Sequence, residues 1–325
     1  MGPGAGAGPG APPLPVVAEV VRSGFVEGHH HGSVVALDAD GSVLLAVGSV
    51  DVPVFPRSSN KLMQAVGMVE AGFPLEDELL ALAGASHSGE PFHLDGVRRV
   101  LASAGLTVAA LQTPPDLPLG EVARRDWLRA GGGPEPVAMN CSGKHAAMLA
   151  TAVAAGWPTS TYREPDHPLQ QALLRTAERL AGEPVAAIGV DGCGAPVFAF
   201  TLTGLARAFA ACVRAEPGTP SRRVADAMRA YPQWVGGTRR DVTALMAGVP
   251  GLLAKDGAEG VYAAALPDGR AVALKIDDGA ERARTVLMAA VLRRLGVTAP
   301  VLEAQSEHGL LGGGLPVGAV RAVLP

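Results

Sequence analysis

The sequence predicts an α/β fold, a sandwich in which strands from both chain ends share one antiparallel sheet around a large helical insertion. Three observations carry that prediction. Short β-rich segments alternate with turns over residues 16–55, and alanine-rich stretches with helical spacing fill the middle of the chain. Two further β-rich segments, split by Pro267-Asp268-Gly269, then return near the C-terminus, the pattern of a β-hairpin.

Residues 16–25, 32–37, 43–47 and 52–55 read as an antiparallel meander, with Asp38-Ala39-Asp40-Gly41 as one of its turns. The histidine triplet 29–31 falls between two of these strands and is assigned to a turn or a substrate entrance. Ser58 or Ser59 is placed to cap a helix running from Lys61 to Glu70, which Gly72 and Pro74 end. Helices at 75–83 and 97–104 flank the turn Ser86-His87-Ser88-Gly89-Glu90, and three prolines make 111–120 an ordered loop. Helices follow at 144–154 and 167–180. A strand at 185–189 then leads into Asp191-Gly192-Cys193-Gly194-Ala195-Pro196. Helices at 203–214 and 219–231 precede the hairpin of 260–266 and 270–276, and a helix at 280–295 is expected to pack on it. This organisation predicts a single domain over 16–325 with a helical subregion about 64–250, preceded by a flexible tail over 1–15.

Composition excludes several classes. At 325 residues and 48% hydrophobic content the chain can bury a substantial core, yet no apolar run approaches membrane-spanning length. A net charge of −4 gives no reason to expect a nucleic-acid surface. The glycine-rich start lacks the basic flank and apolar core of a secretory signal, so a cytoplasmic location is expected. Three cysteines cannot all pair within one chain, and a domain of this size needs no disulfide scaffold. The glycine-rich start follows no strand, and a phosphate-binding GxxxxGK[ST] loop is absent, which argues against a nucleotide fold.

Lysine is scarce: four residues against 23 arginines. All four lie in short polar motifs, at Ser58-Ser59-Asn60-Lys61, Cys141-Ser142-Gly143-Lys144, Lys255-Asp256-Gly257 and Lys275-Ile276-Asp277-Asp278-Gly279. A lysine amine loses its proton more readily on burial and can act as a base, which arginine cannot easily do. Three positions separate Ser58 from Lys61, so on a helix start the hydroxyl and the amine can face one cavity. A neutral Lys61 could then accept the serine proton.

The order of these motifs resembles that of the serine β-lactamase/penicillin-binding-protein fold: N-terminal strands, SxxK, the serine turn at 86–88, and Lys255-Asp256-Gly257 before the hairpin. The closer resemblance is to the bacterial type II asparaginase family that is similar to the inducible rhizobial enzyme. It spans roughly residues 16–322 and includes Glu27 and His30, Pro56-Arg57-Ser58-Ser59-Asn60-Lys61, Ala85-Ser86-His87-Ser88-Gly89-Glu90, Asn140-Cys141-Ser142-Gly143-Lys144-His145, Asp191 through Pro196, and Ala254-Lys255-Asp256-Gly257-Ala258-Glu259-Gly260. One departure is Ser306, where the family often has an asparagine-containing turn.

The resemblance implies hydrolysis of L-asparagine to L-aspartate and ammonia through two serine–lysine pairs. Ser58 with Lys61 would form the acyl-enzyme, and Ser86 with Lys255 would position substrate and relay a proton to ammonia, although the opposite choice of nucleophile stays open. Lys275 is an alternative partner in the second pair, or a structural residue of the hairpin. Arg57, Asp191 and His87 are the candidate substrate contacts, with Arg57 for the α-carboxylate and Asp191 for the α-ammonium. The family also implies Zn2+ bound by Cys141, Lys144 and Cys193, in a structural or substrate-positioning role rather than as a catalytic Lewis acid, and a homodimer. The expected partner is a small-molecule amino acid amide. Competing readings are an L-glutaminase or related serine amidohydrolase, and a zinc-containing binding protein without catalysis.

Overall fold

The computed structural model describes residues 14–324, so residues 1–13 of the expected tail lie outside the described residues. Ten strands form in chain order: β1 (Val16–Arg22), β2 (Phe25–Leu37), β3 (Val43–Val47), β4 (Ala187–Val190), β5 (Pro196–Ala199), β6 (Leu253–Asp256), β7 (Val261–Ala265), β8 (Ala271–Ile276), β9 (Glu307–Gly312) and β10 (Leu315–Ala322). Both chain ends meet in one sheet of order β6-β7-β8-β2-β1-β10-β9, with β3 also paired to β2. Its pairings are antiparallel throughout. Strands β4 and β5 form a separate ribbon.

The helices are α1 (Lys61–Glu70), α2 (Asp77–Ala83), α3 (Pro91–Ser103), α4 (Glu121–Arg129), α5 (Ser142–Ala154), α6 (Pro168–Ala181), α7 (Leu202–Arg214), α8 (Pro220–Ala230), α9 (Pro232–Val235), α10 (Asp241–Gly248), α11 (Glu281–Arg294) and α12 (Pro300–Ala304). Strand β7 is buried at every position, and β8 at every position but Lys275. Continuous apolar runs of this kind belong to strands covered on both faces. Helix α7 packs on β2, β7 and β8, and α11 on β1, β8 and β10. Helix α1 packs against α5, α6 and α8, so its first residue, Lys61, starts deep in the helical layer. Among the described residues, no helix is long and apolar enough to cross a membrane.

Two expectations about local structure are corrected. The histidine triplet is not a turn: β2 runs through it, and strand alternation sends His29 and His31 outward and His30 inward. There His30 Nδ1 lies 2.6 Å from Asp278 Oδ2, and His30 Nε2 accepts from Arg282 Nε at 3.1 Å. Residues 52–55 make only an isolated bridge, Val54 to Phe200, because Pro53 has no N–H for a ladder. Ser306 immediately precedes β9, whose partner β10 lies beside β1. β9 and β10 form the last hairpin. Its glycines are conformational: Gly313 and Gly314 have φ of 58° and 83° at the tip, and a Cβ on Gly318 would run into the Val21 carbonyl.

Candidate active site

The site begins where the chain leaves Pro56. Arg57–Asn60 forms a 3-10 turn that feeds directly into α1. Neither Ser58 nor Ser59 caps α1 through its side chain. Ser59 Oγ instead donates to the Lys255 carbonyl at 2.9 Å, which ties the turn to β6. Close approach is possible only because residue 257 is glycine: a Cβ there would lie 2.6 Å from the Pro56 carbonyl oxygen and 3.2 Å from Ser59 Oγ. The Lys255-Asp256-Gly257 motif thus has a packing role as well as a chemical one.

Lys61 is buried, with its Nζ 2.7 Å from the Ala85 carbonyl oxygen, 2.9 Å from Ser86 Oγ and 3.1 Å from Cys141 Sγ. The serine bonded to Lys61 is therefore Ser86 and not Ser58. Ser58 is half-buried, and its hydroxyl makes no hydrogen bond among the described residues. Residues three apart eclipse in a 3-10 turn, so Ser58 and Lys61 share one side of the turn. Ser86 does not meet Lys255: the Lys255 amine bonds the Asp256 carbonyl at 2.8 Å and Asp256 Oδ1 at 2.6 Å. Lys275 lies elsewhere, with its amine on the Glu259 and Ile276 carbonyls, where it braces β8.

Burial lowers Lys255 to a pKa of about 8, with the Lys61 and Arg240 charges adding to the shift and Asp256 opposing it. Asp256 is itself drawn below the usual carboxylate range, since Lys255, Arg240 and Arg284 outweigh its burial. Asp256 and Arg284 have no assignment from sequence, and Arg239-Arg240 reads there as a solvated face, whereas Arg240 is turned onto the buried Asp256 carboxylate. Adjacent strand residues normally point to opposite faces, so the return of the Lys255 amine onto Asp256 had no sequence signal. Asn60 was also unassigned. It is buried, and neither atom of its amide has a hydrogen-bond partner among the described residues.

The expected substrate contacts are distributed differently. Arg57 Nε donates to Asp191 Oδ1 at 2.8 Å, so the two residues assigned to opposite ends of the substrate face each other as an ion pair. Arg57 holds φ of 50° and Glu259, whose Oε1 is 3.6 Å from Arg57 Nη1, holds φ of 57°. Left-handed backbone at non-glycine residues carries strain that clusters at functional sites. His87 is fully buried, and both of its nitrogens are engaged. Its Nδ1 accepts from the Gly89 N–H at 3.2 Å, which leaves Nε2–H to donate to Ser142 Oγ at 2.9 Å. Burial, with the His93 and Lys61 charges, keeps its pKa well below the ordinary value. His87 has no free nitrogen for substrate and instead braces the serine turn.

Cys141, Lys144 and Cys193 converge in a small buried cluster with Met139 and Ala195. Lys144 Nζ donates to Cys193 Sγ at 3.3 Å. The Cys193 thiol is shifted down, first by its hydrogen bond with Cys141 and then by the Lys144 charge. Cys141 is shifted up by that same hydrogen bond and by burial. Burial pulls Lys144 down, but the Cys193, Cys141 and Asp191 charges outweigh it and raise its pKa. Among the described residues no three His, Cys, Asp or Glu side chains converge as metal ligands, so a metal here depends on the lysine. The donor set is chemically suitable for zinc: two sulfurs and an amine, while Nε2 of the adjacent, buried His145 has no hydrogen-bond partner among the described residues.

A cleft of about 840 Å³ opens beside the serine turn. Its lining includes Ser88, Glu90, Trp127 and Arg240, and does not include Ser58, Lys61 or Ser86.

A family model, L-asparaginase II, matches residues 18–322. No curated protein matches the chain. Among solved structures it is similar to Mglu in its native form, at 16% identity and a TM-score of 0.43 over 82% of this chain and 63% of that one. It is also similar to a β-lactamase from Mycobacterium bovis, at 14% identity and a TM-score of 0.46 over 82% and 95% of the two chains. A third is simvastatin synthase from Aspergillus terreus, at 10% identity and a TM-score of 0.42 over 76% and 86%. The chain thus spans 63% of the length of the first of these.

Proposed function

The chain belongs to the L-asparaginase II family, and from that premise we propose that it hydrolyses the side-chain amide of L-asparagine to L-aspartate and ammonia. The observation that carries the reading is the 2.9 Å contact between Lys61 Nζ and Ser86 Oγ, one turn from an unpartnered Ser58 hydroxyl. In its neutral form Lys61 can give its two N–H groups to Ala85 and Cys141 and keep its lone pair for a serine proton.

In this reading Ser58 Oγ attacks the amide carbon as its proton passes to Lys61. The tetrahedral intermediate collapses when the departing nitrogen takes a proton delivered from Lys61 through Ser86. Water then attacks the Ser58 ester and the proton path runs in reverse, which restores the serine and releases aspartate. Lys255, in its neutral form, supplies a second proton site behind this centre. An amino acid zwitterion can replace the Arg57–Asp191 contact with its own charges, its α-carboxylate on Arg57 and its α-ammonium on Asp191.

We also assign Zn2+ to Cys141, Lys144 and Cys193, where it would hold the start of α5 against the turn at 191–195. Bound there, the ion supplies a charged anchor for sulfur and amine ligands that have given up their protons. A homodimer is carried forward from the family resemblance alone.

The test is ammonia release from L-asparagine and L-glutamine by the full chain and by Ser58→Ala, Ser86→Ala and Lys255→Ala. Loss of asparagine turnover in the two serine variants supports the reading. Undiminished turnover in all three removes it, and a preference for glutamine redirects the substrate alone.

A further inference from the structure

We propose that Arg240 is a positioning residue for this reaction, acting on the Lys255 amine through Asp256. The inference rests on the amide-hydrolysis reading for its catalytic meaning, but its geometry stands separately.

Lys255 is sealed inside β6, and Asp256 is the group that holds its amine. The second oxygen of that carboxylate, Oδ2, is taken by Arg240 Nη2 and lies 3.6 Å from Arg284 Nη1. The two arginines are not equivalent. Arg284 is buried and also holds the Gly257 carbonyl at 3.0 Å and Asp241 Oδ2 at 3.3 Å. The Arg240 side chain makes no other hydrogen bond or ion pair among the described residues. It sits immediately before α10, with one side on the buried carboxylate and the other on the 840 Å³ cleft beside Ser88 and Glu90. Arg240 is thus the point at which the Lys255–Asp256 pair meets the cleft.

The groups around Lys255 fix the direction of the effect. Asp256 comes from its own strand, Lys61 from α1 and Arg240 from the start of α10; Arg284 of α11 and Tyr262 of β7 face the same carboxylate. With Arg240 in place, one carboxylate is divided among three cations and grips the Lys255 ammonium less tightly. Removing Arg240 deletes a like charge near the amine and leaves more of the carboxylate to it. Both changes hold the proton on Lys255 to higher pH.

The scarcity of lysine makes this measurable, because an NMR spectrum of the full chain with 13C-labelled lysine Cε groups contains four signals. Lys255→Met identifies the one of interest. In the wild type the Lys255 signal is expected to titrate near pH 8. In Arg240→Met its midpoint is expected to rise by about one pH unit, and Arg240→Lys restores it. With asparagine, Arg240→Met lowers kcat by about tenfold with KM little changed, and the rising limb of its pH profile moves with the NMR midpoint. Should Arg240→Met fail to fold, Arg240→Gln is read in the same way. A folded variant whose Lys255 midpoint matches the wild type overturns the proposal. The titration needs no turnover, so a wild-type chain inactive on amides overturns the asparaginase reading and leaves the NMR result to decide the role of Arg240.

Discussion

Lys61 Nζ reaches Ser86 Oγ at 2.9 Å across 25 residues of sequence, while the hydroxyl of Ser58, three residues from Lys61, has no hydrogen-bond partner among the described residues. Tertiary packing, not motif spacing, chose the partner. Lys61 opens α1, and α1 lies against α2 and α5. Its amine therefore emerges where the chain leaving α2 presents the Ala85 carbonyl and the Ser86 hydroxyl, with Cys141 arriving from the head of α5. The result is an amine with a serine on one side, a second serine on its own turn, and a cysteine of the candidate metal cluster behind it.

The close seat of the Arg57–Asn60 turn on β6 predicts a cost for any side chain at residue 257. Gly257→Ala puts a Cβ 2.6 Å from the Pro56 carbonyl oxygen, and that oxygen already accepts the Ser59 N–H at 3.1 Å. Backbone must move to accommodate it. Urea denaturation should show a loss of about 1–3 kcal/mol, and kcat should fall because the displaced turn carries Ser58. A variant as stable and active as the wild type would show that this contact is not tight.

Lys255 predicts a distinct dependence of stability on pH. Its folded pKa, about 8, lies below the roughly 10.4 of an unfolded lysine. Between those values the unfolded chain binds the additional proton, so stability rises with pH. The contribution is fully present above the unfolded pKa and is lost as pH falls through the folded one. Denaturation across this window should show the wild type gaining up to about 3 kcal/mol relative to Lys255→Met. Parallel curves for the two proteins would contradict a depressed Lys255.

The cysteine–lysine cluster predicts specific metal binding with a readout in stability. Zinc at about 100 times its dissociation constant should stabilise the full chain by about 2.7 kcal/mol, and a chelator should reverse the gain. Cys193→Ala should abolish the effect and Lys144→Met should weaken it. An equal thermal shift in Cys193→Ala would place the metal elsewhere.

The parts of this fold legible in sequence are those fixed by local chemistry. The hairpin around Pro267-Asp268-Gly269, the alanine-rich helices and the meeting of both chain ends in one sheet follow from turn residues and apolar periodicity. The β9–β10 hairpin has no strand assignment from sequence, and its glycines serve the left-handed tip at 313–314 and the close approach of Gly318 to the Val21 carbonyl. At the site, the motifs named the residues but could not assign their partners. Ser58-x-x-Lys61 and Arg57 and Asp191 were visible as chemical groups, yet the Lys61–Ser86 and Arg57–Asp191 contacts depend on how α1, the serine turn and the 191–195 turn pack. The Arg240–Asp256–Lys255 chain joins residues from a loop and a strand, and only the folded arrangement makes it one unit.

In the proposed reaction Ser58 carries the acyl group while Lys61 and Ser86 move the proton. Rapid-quench mass spectrometry of the full chain mixed with L-asparagine tests it most directly. The predicted result is a transient aspartyl ester on the peptide that contains Ser58, absent in Ser58→Ala and reduced in Lys61→Met. An ester on Ser86, or rapid ammonia release by Ser58→Ala, would contradict it.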